Sequence, residues 1–239
     1  MKRKFSTIST IDLDKPYSWQ DPSFITLDID WCHDEVLAYS INLLEQAGAS
    51  ATWFVTHNTP LLERLRANPK FELGIHPNFN FLLQGDSRNG RDAEEVVVRM
   101  LEIVPEAKSV RSHSMTQSSH LLNLFKDKGL QYDCNHFIPF QANIELKPYR
   151  LWNNLIKVTH SWEDDISCIC GGHSTSLVNQ GANQLNVFAF HPIHIFLNTK
   201  DLTLYEQTRS IHHRPNEMIK MRCLEKGARN YLECLWGID

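Results

Sequence analysis

An apolar strand that ends in acid constrains this chain most: Phe24-Ile25-Thr26-Leu27-Asp28-Ile29-Asp30-Trp31. Phe24, Ile25, Leu27 and Ile29 are large or β-branched, and turn-forming residues precede them, which is the pattern of a buried strand. The period of a strand puts Asp28 and Asp30 on one side. Two carboxylates make a poor core but a good metal-assisted hydrolytic site at the mouth of a barrel. The competing use of such a pair is to cap a helix or a turn.

Downstream of this strand, helical and strand patterns alternate. Asp34–Ala47 has helical periodicity (Leu37, Ile41, Leu44) and ends at Gly48, and Ala51–Val55 is a short buried strand. Asn58 or Thr59 caps a helix to about Ala67, and Phe71–Ile75 is a third strand that delivers His76. After a loop at Gln84–Arg91, Asp92 caps a helix to about Val104. A strand at Ser109-Val110 feeds Arg111-Ser112-His113, a helix runs from Ser118 or Ser119 to Lys128, and Leu130–Asp133 is the next strand. Asn135–Arg150 and Gly171–Gln184 read as loop excursions, and Leu185–Phe190 is the last clear strand. Alternation of this kind predicts an α/β chain with a parallel sheet and crossover helices. Residues 1–22 are expected to be an irregular lead-in with an edge strand near Ser6–Leu13, and about 215–235 to be a helical tail broken near Gly227. With no linker or repeat, 1–239 reads as one domain.

Composition excludes some partners. A formal charge of −4 leaves no electrostatic footprint for nucleic acid. The basic Met1–Lys4 is not followed by an apolar run, and no run is long enough to span a bilayer, so a cytoplasmic protein is expected. In that setting the six cysteines read as free thiols. Cys168-Ile169-Cys170-Gly171-Gly172-His173 lacks the spacing and the second half of a zinc knot.

Polar residues gather at five strand ends: Asp28/Asp30, His76/Asn80, Arg111/His113, Trp162/Asp164/Asp165 and His191/His194. Five such ends in one α/β chain suggest a ring of groups around one pocket. Asp, His and a neutral oxygen donor suit zinc or another divalent transition metal. Taken singly, His191 and His194 also fit as satisfied buried histidines. Trp31, Trp162 and Trp152 offer flat faces to a sugar ring, or ordinary core packing.

Together these residues resemble the polysaccharide deacetylases of the carbohydrate esterase family 4 group, over roughly residues 23 to 195. That resemblance implies a distorted (β/α) barrel with fewer than eight strands. In Thr26-Leu27-Asp28-Ile29-Asp30 it makes Asp28 the general base and Asp30 a metal ligand. Ala51-Thr52-Trp53-Phe54-Val55 is similar to a strand typical of the family. His76 and Asn80 stand where two ligand histidines are normal, and Arg111 resembles the arginine that orients the base. Trp162–Asp165 falls where an aromatic wall and an acid are supplied, and His191 in Phe190-His191-Pro192 resembles the general acid. His113 stands where many relatives have proline.

The resemblance implies a zinc-dependent hydrolase that removes N-acetyl groups from an amino sugar. It points to a divergent branch near the deacetylase-like proteins of O-antigen and other surface-polysaccharide synthesis. Two other readings stay open: hydrolysis of a different C–N bond on the same fold, and a glycan-binding protein whose metal site has decayed. Asn80, a weaker ligand than imidazole, favours the last. If residue 80 does not face the metal, His113 and His194 are the next candidates.

Overall fold

The computed structural model describes residues 3–169 and 183–237. Residues 170–182 fall outside it, and with them most of the Cys168–His173 stretch and of the Gly171–Gln184 insertion. The strands are β1 (Phe5–Ser6), β2 (Ser23–Asp28), β3 (Ala51–Val55), β4 (Phe71–Ile75), β5 (Ser109–Val110), β6 (Tyr132–Asp133), β7 (Tyr149–Arg150), β8 (Ile156–Lys157), β9 (Trp162–Glu163) and β10 (Asn186–Phe190). They form one sheet in the order β7-β8-β6-β5-β4-β3-β2-β10-β9, with β1 beside the start of β2. Every pairing is parallel except β7 with β8. The path does not join β7 to β9 among the described residues, so the distorted (β/α) barrel is an open one. Fewer than eight strands were expected; among the described residues ten are present when the two-residue strands are counted, and only β2, β3, β4 and β10 reach five residues.

Strand alternation explains which residues reach the site. Along β2, Ile25 and Leu27 join the large apolar cluster beneath the helices. Phe24, Thr26 and Asp28 face the other way, into the barrel. Phe24 packs at the bottom with Ile8, Ile11 and Phe54, Thr26 bonds to Arg111 in the middle, and Asp28 tops the column. On β4 the inward positions are Glu72 and Gly74, and the next in the series is His76. A Cβ on Gly74 would lie 2.8 Å from the Phe54 ring and 2.6 Å from Ser109 Oγ. Its absence lets that ring lie under the Arg111 guanidinium, 4.6 Å from centroid to Cζ.

The helices follow the expected signals closely. Asp34–Ala47 ends at Gly48 with φ 63°. Asp92 and Ser118 each accept a backbone N–H in the first turn of the helices Ala93–Ile103 and Ser119–Asp127. The lead-in differs from expectation. Only Phe5–Ser6 is strand, and Ile8–Thr10 turns into a 3-10 helix. Its backbone is satisfied by side chains at the barrel floor: Ile8 N–H donates to Thr52 Oγ1 (3.0 Å) and Ser9 N–H to Glu72 Oε2 (2.8 Å). Buried Ile8 and Ile11 then plug the bottom, a task that a straight edge strand cannot perform.

After β10 come two helices that periodicity did not reveal, Pro192–Leu197 and Leu202–Thr208. The expected tail is present as Pro215–Met218, a 3-10 turn, and Ala228–Leu235, broken at Gly227. Asn198 clamps it: Nδ2 donates to the carbonyls of Cys223 (3.1 Å) and Glu225 (2.8 Å), and Oδ1 accepts from Arg229 N–H (3.1 Å). Gly227 is required there, since a Cβ would sit 2.2 Å from Asn198 O. Cys32, Cys134, Cys223 and Cys234 are free thiols. No helix among the described residues is long and apolar enough to cross a membrane.

Candidate active site

β2 ends at Asp28, so Asp30 does not continue the strand's alternation as its spacing suggested. Asp30 and Trp31 adopt left-handed conformations, φ 37° and 51°, which cost energy in non-glycine residues and concentrate at functional sites. The turn is fixed by Cys32 N–H donating to Ile29 O (2.9 Å) and Trp31 N–H donating to Thr56 Oγ1 (3.0 Å). It swings the Asp30 carboxylate towards the ends of β4 and β5.

There Asp30, His76 and His113 offer three donor atoms, all within 4.8 Å of one another. His76 Nε2 lies 3.2 Å from Asp30 Oδ1, and His113 Nδ1 lies 3.4 Å from the same oxygen. Asp30 Oδ1 is nevertheless buried without a hydrogen bond. An orphaned carboxylate oxygen between two imidazole nitrogens is a donor set in want of a cation, and two nitrogens with one oxygen suit zinc-like metals. The residues fit such an ion. Burial opposes the charge on Asp30, but His113, His76 and His191 outweigh it and hold the carboxyl well below its usual range.

Asn80 is not brought into this group. It begins the short helix Asn80–Leu83, where Asn78 Oδ1 accepts its N–H (2.9 Å), and its Nδ2 donates to Ser114 Oγ (3.0 Å). His113 is the third member of the group; its N–H donates to Pro77 O (2.9 Å), and the chain then turns through left-handed Ser114 and Met115.

On one side of the group sits Asp28. Arg111, fully buried, donates from Nη1 to Asp28 Oδ1 (3.0 Å) and to Thr26 Oγ1 (2.9 Å). On the other side sits His191, its Nε2 3.8 Å from Asp30 Oδ2 and 3.9 Å from Asp28 Oδ2. Its Nδ1–H donates to Asp164 Oδ1 (2.7 Å) and its backbone N–H to Asp164 Oδ2 (2.7 Å). Burial disfavours a charged imidazole, yet Asp164, Asp30 and Asp165 outweigh it and raise His191 well above the usual histidine range. Asp165 is pushed up to about 7, chiefly by burial, with Glu163 and Asp164 adding and His191 opposing.

A cavity of about 470 Å³ opens over these groups, lined by Asp30, Trp31, His113, Asp165, His191 and His194 among others. Trp31 is 37% exposed and meets His113 edge to face at 5.2 Å. Trp162 does not reach the cavity. Its register opposite Phe188 turns it to the outer face of the sheet, where it is 2% exposed and stacks on Tyr231 at 4.1 Å. Trp152 is 63% exposed and lines none of the cavities around the site.

Other residues at the site went unread in the sequence. His160 Nε2 lies 2.8 Å from Glu163 Oε2 inside the barrel, with burial and then Arg111 holding His160 well below its usual range. Tyr205, Glu206, His212 and His213 line the outer part of the cavity. They lie beyond the motif-bearing stretch, and no spacing marks them.

Comparison with known proteins identifies the family. Residues 25–209 match the WbmS-like polysaccharide deacetylase family. A crystal structure from Bordetella bronchiseptica, of a candidate polysaccharide deacetylase involved in O-antigen biosynthesis, is 44% identical. The match covers 98% of this chain and 97% of that one, with a TM-score of 0.90. A candidate polysaccharide deacetylase from Mycobacterium smegmatis is 15% identical over 80% of this chain and 82% of that one, with a TM-score of 0.47. No curated protein sequence is significantly similar to the chain. With the family match spanning most of its length and a relative this similar from end to end, the chain belongs to the WbmS-like polysaccharide deacetylase family.

Proposed function

We propose that the chain is a metal-dependent N-deacetylase that acts on an amino sugar of a surface-polysaccharide precursor, in the cytoplasm. The observation that carries this reading is the three-donor group Asp30/His76/His113, flanked by an arginine-held carboxylate and a carboxylate-held histidine. The O-antigen connection of the Bordetella relative supports the substrate class. Asn80 had favoured a decayed metal site; that argument loses its force because His113 completes the donor set.

Asp30, His76 and His113 would hold the ion, with His76 Nδ1 3.8 Å from Asp28 Oδ1. When bound, a zinc-like ion would polarise the acyl carbonyl and acidify the attacking water. Asp28, fixed by Arg111, takes the proton from that water as it attacks the carbonyl carbon. His191 Nε2 faces the same space and gives its proton to the departing amine. Asp164 keeps the imidazole charged and aimed before the reaction begins, so no reorientation is needed when the C–N bond breaks. The cavity above the group gives the sugar its place.

Acetate release from N-acetylated oligosaccharides by zinc-loaded protein tests the reading, with Asp28→Asn as the control. Release that the variant abolishes supports it. Release that is equal in the two proteins, or absent from both across a broad panel of N-acetyl sugars, refutes it.

A further inference from the structure

The 470 Å³ cavity is far larger than an acetyl group needs, and its outer wall comes from a segment with no part in the chemistry above. That wall is a row of rings. Outward from the general acid, the centroids of His191 and His194 are 5.7 Å apart, those of His194 and Tyr205 5.0 Å, and those of Tyr205 and His212 4.7 Å. The row is firmly held. Asp201 caps the helix Leu202–Thr208 by accepting from Thr203 N–H (2.9 Å), and Thr208 Oγ1 lies 3.2 Å from His212 Nε2. The tail behind it is clamped by Asn198.

The chemistry of the wall is specific. Burial pushes the Tyr205 phenol up and the His212 imidazole down, which favours the uncharged form of each ring. Glu206 adds a carboxylate acceptor and Asp165 a carboxyl group, and no lysine or arginine lines the cavity among the described residues. Rings beside hydrogen-bonding groups of this kind match a pyranose, which has apolar C–H faces and a rim of hydroxyls. A cavity of this size lies within the range of small-molecule sites.

We propose that Tyr205 and His212 form the subsite for the sugar ring that bears the acyl group, and that this ring is an uncharged pyranose. The proposal rests on the deacetylase reading and extends it to residues outside the catalytic machinery. It makes Tyr205 a specificity-determining residue, separate from metal binding and proton transfer.

Two probes separate the claims. Binding of methyl N-acetyl-β-glucosaminide and methyl N-acetyl-β-galactosaminide to zinc-loaded protein, followed by calorimetry, reports the subsite. Hydrolysis of 4-nitrophenyl acetate, which has no sugar, reports the metal and the base. Tyr205→Ala and His212→Ala should each weaken binding of at least one glycoside on the order of tenfold. Both variants should keep ester hydrolysis within about twofold of the unaltered protein, while Tyr205→Phe, which keeps the ring, should retain most of the affinity. Should Tyr205→Ala fail to fold, Glu206→Gln, at an exposed position, should still weaken glycoside binding severalfold. Unchanged affinity in the folded variants, or no glycoside binding by the unaltered protein, overturns the subsite. Absent ester hydrolysis counts against the deacetylase reading alone, and the binding data then decide the subsite by themselves.

Discussion

Asp164 grips His191 with both carboxylate oxygens, one on the ring Nδ1–H and one on the backbone N–H, each at 2.7 Å. Side chain and main chain are thereby fixed together, and Nε2 is left to face the substrate space. Asp164 is fully buried, so its charge acts on the imidazole with little screening by water.

That charge should set the pH range of the enzyme. Burial alone lowers the pKa of His191, and Asp164 is the strongest group opposing it. A general acid works only while protonated, so a raised pKa carries activity to higher pH. Asp164→Asn removes the charge and should move the alkaline limb of the kcat/KM profile to lower pH, with a loss of ~10²–10⁴ in rate at neutral pH. An alkaline limb that stays in place would show that His191 is not the acid.

Arg111 should be irreplaceable by lysine. Its Nη1 reaches Asp28 and Thr26 together while the guanidinium lies over Phe54, which a single ammonium cannot reproduce. Arg111→Lys should therefore retain metal yet lose about 10²-fold in kcat. Arg111→Met removes the cation that hydrogen-bonds the buried Asp28 and should destabilise the fold by roughly 3–5 kcal/mol. Turnover and urea denaturation read the two effects, and wild-type kcat in the lysine variant would contradict the assignment.

The two tryptophans should separate cleanly. Trp162→Ala removes a core ring stacked on Tyr231 and should cost about 3–5 kcal/mol of stability. Trp31→Ala, at the cavity edge, should raise KM with a stability change of roughly 0.5 kcal/mol or less. Thermal unfolding and substrate titration distinguish them, and the reverse pattern would mean that the register of β9 is misread.

How far the sequence was legible depends on the range of each signal. The apolar alternation of β2, β3 and β4 is local, so Asp28, His76 and Arg111 were found at the strand ends they occupy. The partnership of Asp164 with His191 was found as well, with Asp165 an equal candidate. Asn80 stands apart from the Asp30/His76/His113 group because four-residue spacing does not by itself make both residues face one way. Asn78 Oδ1 instead accepts the Asn80 N–H as the chain turns into a short helix, and the Asn80 amide donates to Ser114. His113 was named at the end of β5 but only as an alternative ligand, and the left-handed turn at Ser114 and Met115 that follows it is encoded by no hydrophobic period. Trp162 depended on a register set by β10, 26 residues away at Phe188. The ring wall at Tyr205 and His212 is built by tertiary packing alone, and its local sequence carries no motif.

Metal content in single-ligand variants tests the central claim most directly. Zinc-loaded protein is dialysed against a weak chelator, and bound metal is counted in the unaltered protein, His113→Ala and Asn80→Ala. The account predicts near-stoichiometric zinc in the unaltered protein and in Asn80→Ala. It also predicts loss of at least ~10-fold in affinity in His113→Ala, since imidazole nitrogen binds zinc-like ions better than the water that would replace it. Zinc retained by a folded His113→Ala but lost from Asn80→Ala would contradict the donor set, and with it the account of the site.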